Sequence, residues 1–237
     1  VGHVECGGII GQSSSVNGTV ENCVNYGKIV AESDYYLHLG GISGTEGGIK
    51  NCVNYGNIKG SSISENKGWS SFAAVCNVGG IVGSTSADIL DDCVNFGNVE
   101  GKGKASCFVG GISGFDGYYS SGKMNNCYNV GKYINSDGVA ARVAGAIYYP
   151  SKLYSIDTTL INGKIPTEQL GTTSINGESM SEKQIANAIY GILNNLNLKW
   201  SGGDSGDDKP EEKKDLSIDS DGDGIPDIWE LEGADTN

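Results

Sequence analysis

Five side chains near the C-terminus carry the clearest chemistry in this 237-residue chain. In Asp219-Ser-Asp-Gly-Asp-Gly-Ile-Pro-Asp-Ile-Trp-Glu230, Asp219, Asp221, Asp223, Asp227 and Glu230 stand at positions 1, 3, 5, 9 and 12 of a loop, with Gly224 at 6. Alternating carboxylates let a short loop wrap one hard cation in oxygens. Gly224 allows the sharp turn, Ile225 offers its carbonyl, and Glu230 closes the site from the start of a short helix. The expected cofactor is Ca²⁺.

Few other residues could react. Asp91, Asp92 and Asp116 are candidate turn carboxylates, and His3 and His38 are the only imidazoles. No Ser/His/Asp set, phosphate-cradling loop or zinc cluster accompanies them, so the chain is read as non-enzymatic. The seven cysteines contain no CxxC pair. Four of them (Cys23, Cys52, Cys93, Cys127) recur at one repeat position. In-register neighbours on parallel strands point the same way, which is poor disulfide geometry, so buried free thiols are expected.

The element that must position everything upstream is a repeat. GGIxG begins at Gly7, Gly40, Gly79 and Gly110 and decays at Ala144; NCVNYG, DCVNFG and NCYNVG follow at Asn22, Asn51, Asp92 and Asn126. Starts 33, 39, 31 and 34 residues apart imply stacked units that cannot bury their apolar sides alone. Two β-prone runs per unit fit a parallel β-solenoid of about five repeats, all-β, rather than a four-stranded propeller blade. Between copies the Cys and Asn columns never vary, which places Cys and Asn25, Asn54, Asn95 and Asn129 inside. Tyr26, Tyr55 and Phe96 then form an outward aromatic stripe, read either as a ligand face or as lateral packing. Gly27, Gly56, Gly97 and Gly131 are expected in turns of positive φ. Trp69, in an insertion at 60–75, is the other candidate ligand contact.

Organisation follows from this. Residues 1–165 are the solenoid and 166–200 a capping segment. There Ser181 and Gln184 make a capping box, and Ile185, Ala188, Ile189, Ile192, Leu193 and Leu196 form one helical face, expected to lie across the open end of the stack. Residues 201–217 are an acidic flexible linker and 218–237 the calcium loop segment. Residues 201–237 hold 13 acids against 3 bases, whereas 1–200 hold 16 against 13, so the net charge of −13 belongs mainly to the tail. Without a basic surface, nucleic acid is excluded as a partner. No apolar run reaches the roughly 20 residues that span a bilayer. The chain opens and closes mid-pattern and is read as part of something larger.

GGIVG followed by NCVNYGNI resembles the GLUG repeat of large extracellular bacterial proteins, over roughly residues 4–200. The loop at 219–230 is similar to the calcium loops of thrombospondin type 3 repeats. The resemblance implies a monomeric, non-catalytic module on a bacterial cell surface, a stalk or adhesion surface whose partner is a host or matrix glycan or protein. Its alternative is an accessory region of a secreted peptidase or glycan-active enzyme whose catalytic domain lies outside this chain.

Overall fold

The computed structural model describes residues 3–12, 18–45, 47–63, 76–85, 89–103, 107–116, 123–147 and 150–198. Among these residues the chain is a parallel β-solenoid with one C-terminal helix. Each coil contributes strands to four sheets, and every pairing between named strands is parallel and joins one coil to the next. Sheet A stacks His3–Gly7, Tyr36–Gly40, Cys76–Gly79, Cys107–Gly110 and Val139–Ala141. Sheet B stacks Ile10–Gln12, Ser43–Thr45, Val82–Thr85, Ser113–Asp116 and Ala144–Ala146. In sheet C the first three coils give two short strands each (Thr19–Glu21 and Val24–Asn25 in the first), and the next two give single strands, Lys123–Asn129 and Pro150–Ile156. Sheet D stacks Ile29–Ser33, Ile58–Ser62, Val99–Gly103, Tyr133–Ser136 and Leu160–Ile161.

The GGIxG motif is the reversal between sheets A and B. The two strands lie so close that a Cβ on Gly83 would fall 2.3 Å from the Leu39 nitrogen. This back-to-back pair turns apolar faces both ways. Leu37, Leu39, Val78 and Val109 meet Ile58, Val99 and Ile134 of sheet D. Ile42, Ile81 and Ile112 meet Ile49, Leu90, Met124, Cys52, Cys93 and Cys127 of sheet C. Isolated coils could bury neither face, and stacking buries both.

After the fifth coil, the backbone nitrogens of Val143 and Ala144 donate to Ile175, and Glu178–Met180 adds a last strand to sheet C. Arg142, the only arginine, is fully buried there. It donates from Nε to Asn176 O at 3.1 Å, from Nη1 to Ile156 O at 3.3 Å and from Nη2 to Ser179 Oγ at 2.7 Å. Residues 166–180 thus close this end of the stack.

The helix α1 (Glu182–Asn195) begins at the expected capping box, with Ser181 Oγ accepting from Gln184 N and Ser181 N donating to Gln184 Oε1. It covers apolar surface, but not the end of the stack. It leaves the last strand of sheet C and folds back along that sheet's outer face. There Ile185, Ile189, Ile192 and Leu193 pack on Val53, Tyr55, Val94, Tyr128 and Ile156. Fourteen residues span about 21 Å, enough to cross about four coils at the usual strand spacing.

Candidate functional site

Two polar columns run down the stack. The inner one is an amide ladder. Asn25 Nδ2 donates to Asn54 Oδ1 at 2.7 Å, Asn54 to Asn95 at 2.8 Å and Asn95 to Asn129 at 2.9 Å. The same nitrogens also donate within their own turns, to Gly27 O, Gly56 O and Gly97 O. Asn54, Asn95 and Asn129 are 0% exposed, as their invariance between copies led us to expect. In the fifth coil Ser155 and Thr159 replace the amide, and Thr159 Oγ1 donates to Gly131 O. The ladder reaches the Gly-Gly corner of sheets A and B, where a Cβ on Gly41 would lie 2.5 Å from Asn54 Cγ. Glycine at that corner makes room for the asparagine.

The outer column comprises Asn22, Asn51, Asp92 and Asn126, at φ 59°, 50°, 52° and 55°. This corrects the expectation that positive φ belongs to Gly27, Gly56, Gly97 and Gly131. Gly56, Gly97 and Gly131 answer a different demand: a Cβ on Gly56 would sit 2.0 Å from Gly27 O in the coil below, whereas one on Gly27, in the first coil, would meet only Asn25 Oδ1 at 3.6 Å. Asn and Asp tolerate the left-handed region better than other side chains and fill this position in four coils, while the decayed fifth coil places Lys152 there at φ 53°. In the first three coils the resulting kink divides the sheet C strand, and the following cysteine answers it. The Cys52, Cys93 and Cys127 thiols donate across the kink to Lys50 O, Asp91 O and Asn125 O at 3.2–3.3 Å. All seven cysteines are free. Burial pushes the Cys52 and Cys93 thiols well above their ordinary pKa, which disfavours thiolate chemistry.

The outer column bonds to itself as well. Asn51 Nδ2 donates to Asn22 Oδ1, Asn126 Nδ2 to Asp92 Oδ1, and Asn125 Nδ2 to Asp91 Oδ1. Asp91 and Asp92 are therefore each tied to an amide of the next coil and do not form an acid–base pair. The side chain of Asp116 lies outside the described residues.

The aromatic stripe is a packed surface. Tyr26 and Tyr55 stack at 5.3 Å and 6°, and Tyr55 and Phe96 at 4.6 Å and 7°. Tyr55 is 8% exposed, while Tyr26 and Phe96 are half-buried, all in the cluster beneath α1. Lateral packing accounts for this burial, since α1 lies over the cluster to which the stripe belongs. Trp69 and the calcium residues Asp219, Asp221, Asp223, Ile225, Asp227 and Glu230 lie outside the described residues. Among those described, no group of three or more His, Cys, Asp or Glu could hold a metal ion, and no helix is long and apolar enough to cross a membrane.

The two histidines have separate surroundings. His3 packs on Tyr36 and Tyr35, at 4.5 and 5.9 Å. His38 pairs in register with Asn77, whose Nδ2 lies 3.4 Å from His38 Nδ1. Burial, with a smaller contribution from His3, brings the His38 pKa down to about 4. His38 is thus a neutral structural acceptor near pH 7, poorly suited to shuttling protons.

Where α1 rides over sheet C it leaves a groove of about 490 Å³, lined by Glu21, Asn22, Lys50, Asn51, Asp92 and Asn126 on the sheet side and by Ala188, Gly191, Ile192 and Asn195 on the helix side. The sequence identified the helix and the Asn column separately. Their meeting depends on where the helix docks, which no local pattern encodes. Ala188, assigned to the apolar face, is exposed and faces this groove, while Ala186 is buried instead. No protein-family model, curated protein or solved structure matches the chain.

Proposed function

We propose that this chain is a non-catalytic, ligand-presenting module of the GLUG type from an extracellular bacterial surface protein. Calcium bound by Asp219, Asp221, Asp223, Asp227, Glu230 and the Ile225 carbonyl stiffens its C-terminal joint. The observation that carries this reading is how the stack uses its reactive residue types. Asparagine amides bond to one another, thiols to carbonyls, and the only arginine to the closing turn. Groups committed in this way build a stiff, in-register scaffold and are not free to turn over a substrate.

Calorimetric titration of the whole chain with Ca²⁺ tests the joint. One site is expected, in the 10⁻⁴–10⁻³ M range of extracellular modules, abolished by Asp223→Ala. Absence of heat, or heat unchanged in the variant, would remove the joint from the proposal. An array of soluble glycans and matrix proteins, read for breakdown as well as binding, tests the rest. Binding without chemical change is expected, and turnover of any array member would overturn the non-catalytic reading.

A further inference from the structure

We infer that the groove between sheet C and α1 binds a linear, neutral oligosaccharide laid along the stacking axis, with about one sugar residue per coil. The inference rests on the ligand-presenting reading above and gives it a site and a substrate class. Four observations carry it.

The first is the repeat of the floor. Asn22, Asn51, Asp92 and Asn126 are one per coil, each fixed in the same left-handed conformation, so their side chains recur at the inter-strand spacing of about 4.8 Å. A pyranose chain with equatorial 1,4 linkages, whose like faces meet every second coil because successive rings turn over, advances by close to this distance per residue. An extended peptide does not: its like-facing side chains recur at about 6.6–6.8 Å, so it would drift out of register within two coils.

The second is the chemistry of the lining. Each bond within the column uses one donor and one acceptor, and among the described residues Asn22 Nδ2, Asn51 Oδ1 and Asp92 Oδ2 make no further bond and are available to a guest. Amides and carboxylates suit hydroxyl groups, which both donate and accept. Among the described residues of the lining, Glu21 and Asp92 stand against one cation, Lys50, so a uronic-acid or sulfated chain would meet net negative charge.

The third is preorganisation. The column side chains are tied in two pairs, Asn22 with Asn51 and Asp92 with Asn126, and Asn126 Oδ1 also accepts from the Tyr128 hydroxyl at 2.9 Å. They need little ordering when a ligand arrives, which lowers the entropic cost of binding.

The fourth is the helix wall. Ala188, Gly191 and Asn195 face the groove at i, i+3 and i+7. A mid-helix glycine costs about 0.5–1 kcal/mol relative to alanine, yet a Cβ on Gly191 would meet nothing within 4 Å. Packing therefore does not call for glycine here. A groove kept open beside the column does.

The test uses the whole chain and a panel of hexasaccharides (cello-, malto-, xylo- and N-acetylchito-hexaose), with oligogalacturonate and an unstructured peptide as controls, by calorimetry. At least one neutral member is expected to bind, and affinity should rise from the disaccharide to the tetrasaccharide as coils are added. Gly191→Tyr, which fills the groove from a position with space for a side chain, should weaken binding at least tenfold, as should Asp92→Ala. Gly191→Tyr should melt no lower than the parent chain, since glycine is the poorer helix former, which separates blockage from misfolding. No binding by any neutral member, preference for the anionic chain or the peptide, or unchanged binding by Gly191→Tyr would each overturn the inference. A chain that binds Ca²⁺ but no sugar keeps the spacer part of the proposed function and loses the groove. A sugar that is bound and cleaved keeps the groove and loses the non-catalytic reading.

Discussion

Asn95 accepts from Asn54 Nδ2 and Gly97 N, and donates to Asn129 Oδ1 and Gly97 O, all without contact with water. Truncation strands at least the Asn54 amide and the Asn129 carbonyl. At about 1–3 kcal/mol per stranded group, Asn95→Ala should cost about 2–6 kcal/mol. Asn25 ends the ladder and is slightly exposed, so Asn25→Ala should cost less than half as much. Urea midpoints for the two variants check this, and equal costs would argue that the ladder does not act as a unit. His38 gives a pH signature. Its folded pKa of about 4 lies below the unfolded value near 6.5. Between these values the unfolded chain binds more protons, so stability falls as pH drops through this window, and the contribution is fully present above about 6.5. His38→Gln should remove about 1–3 kcal/mol of the acid loss between pH 6.5 and 4, seen as a flatter midpoint-versus-pH curve.

At the scale of elements, α1 owes its place to the side it shows to sheet C. Ile189 is fully buried between the helix and the aromatic columns. Ile189→Ala should cost about 2–4 kcal/mol, and Ile189→Asp should detach the helix while leaving the coils stacked. The expected readout is binding of a hydrophobic dye with the strand signal of circular dichroism retained. Loss of both signals together would mean that the helix is integral to stacking rather than laid upon it. Beneath α1 the Tyr55 hydroxyl is buried with no hydrogen-bond partner among the described residues, whereas the same column carries Phe at 96. Tyr55→Phe should accordingly be neutral or stabilising, by up to about 1 kcal/mol, measured as a shift in melting temperature.

At the scale of the molecule, a stack couples each coil only to its neighbours. Val4, Cys6, Val20 and Ile29 of the first coil are half-buried, whereas the matching Leu37, Leu39, Ile49 and Ile58 of the second are at most 1% exposed. Hydrogen exchange should therefore be fastest in the first coil and slowest in the second to fourth. Arg142→Leu should release protection around Val143–Ala146 without affecting Ser43–Thr45; uniform exchange along the stack would contradict this. Much of the fold was legible in the sequence because a repeat compares its own copies. Columns that never vary, such as Asn54, Asn95 and Asn129, must stack on themselves, and the capping box at Ser181 is a local rule. What remained illegible was non-local. The left-handed residue proved to be Asn22 and its equivalents rather than the glycines, because the distance between coils, not φ, excludes a Cβ at Gly56. The sequence by itself determined that the chain stacks, which residues face inward and that an amphipathic helix follows, since all three rest on periodicity and short-range chemistry. Only the tertiary structure decided that this helix lies along the flank, covering the aromatic stripe and opening the amide-lined groove. That choice depends on which apolar surface of the finished stack most needs cover, and the surface exists only once the coils have assembled.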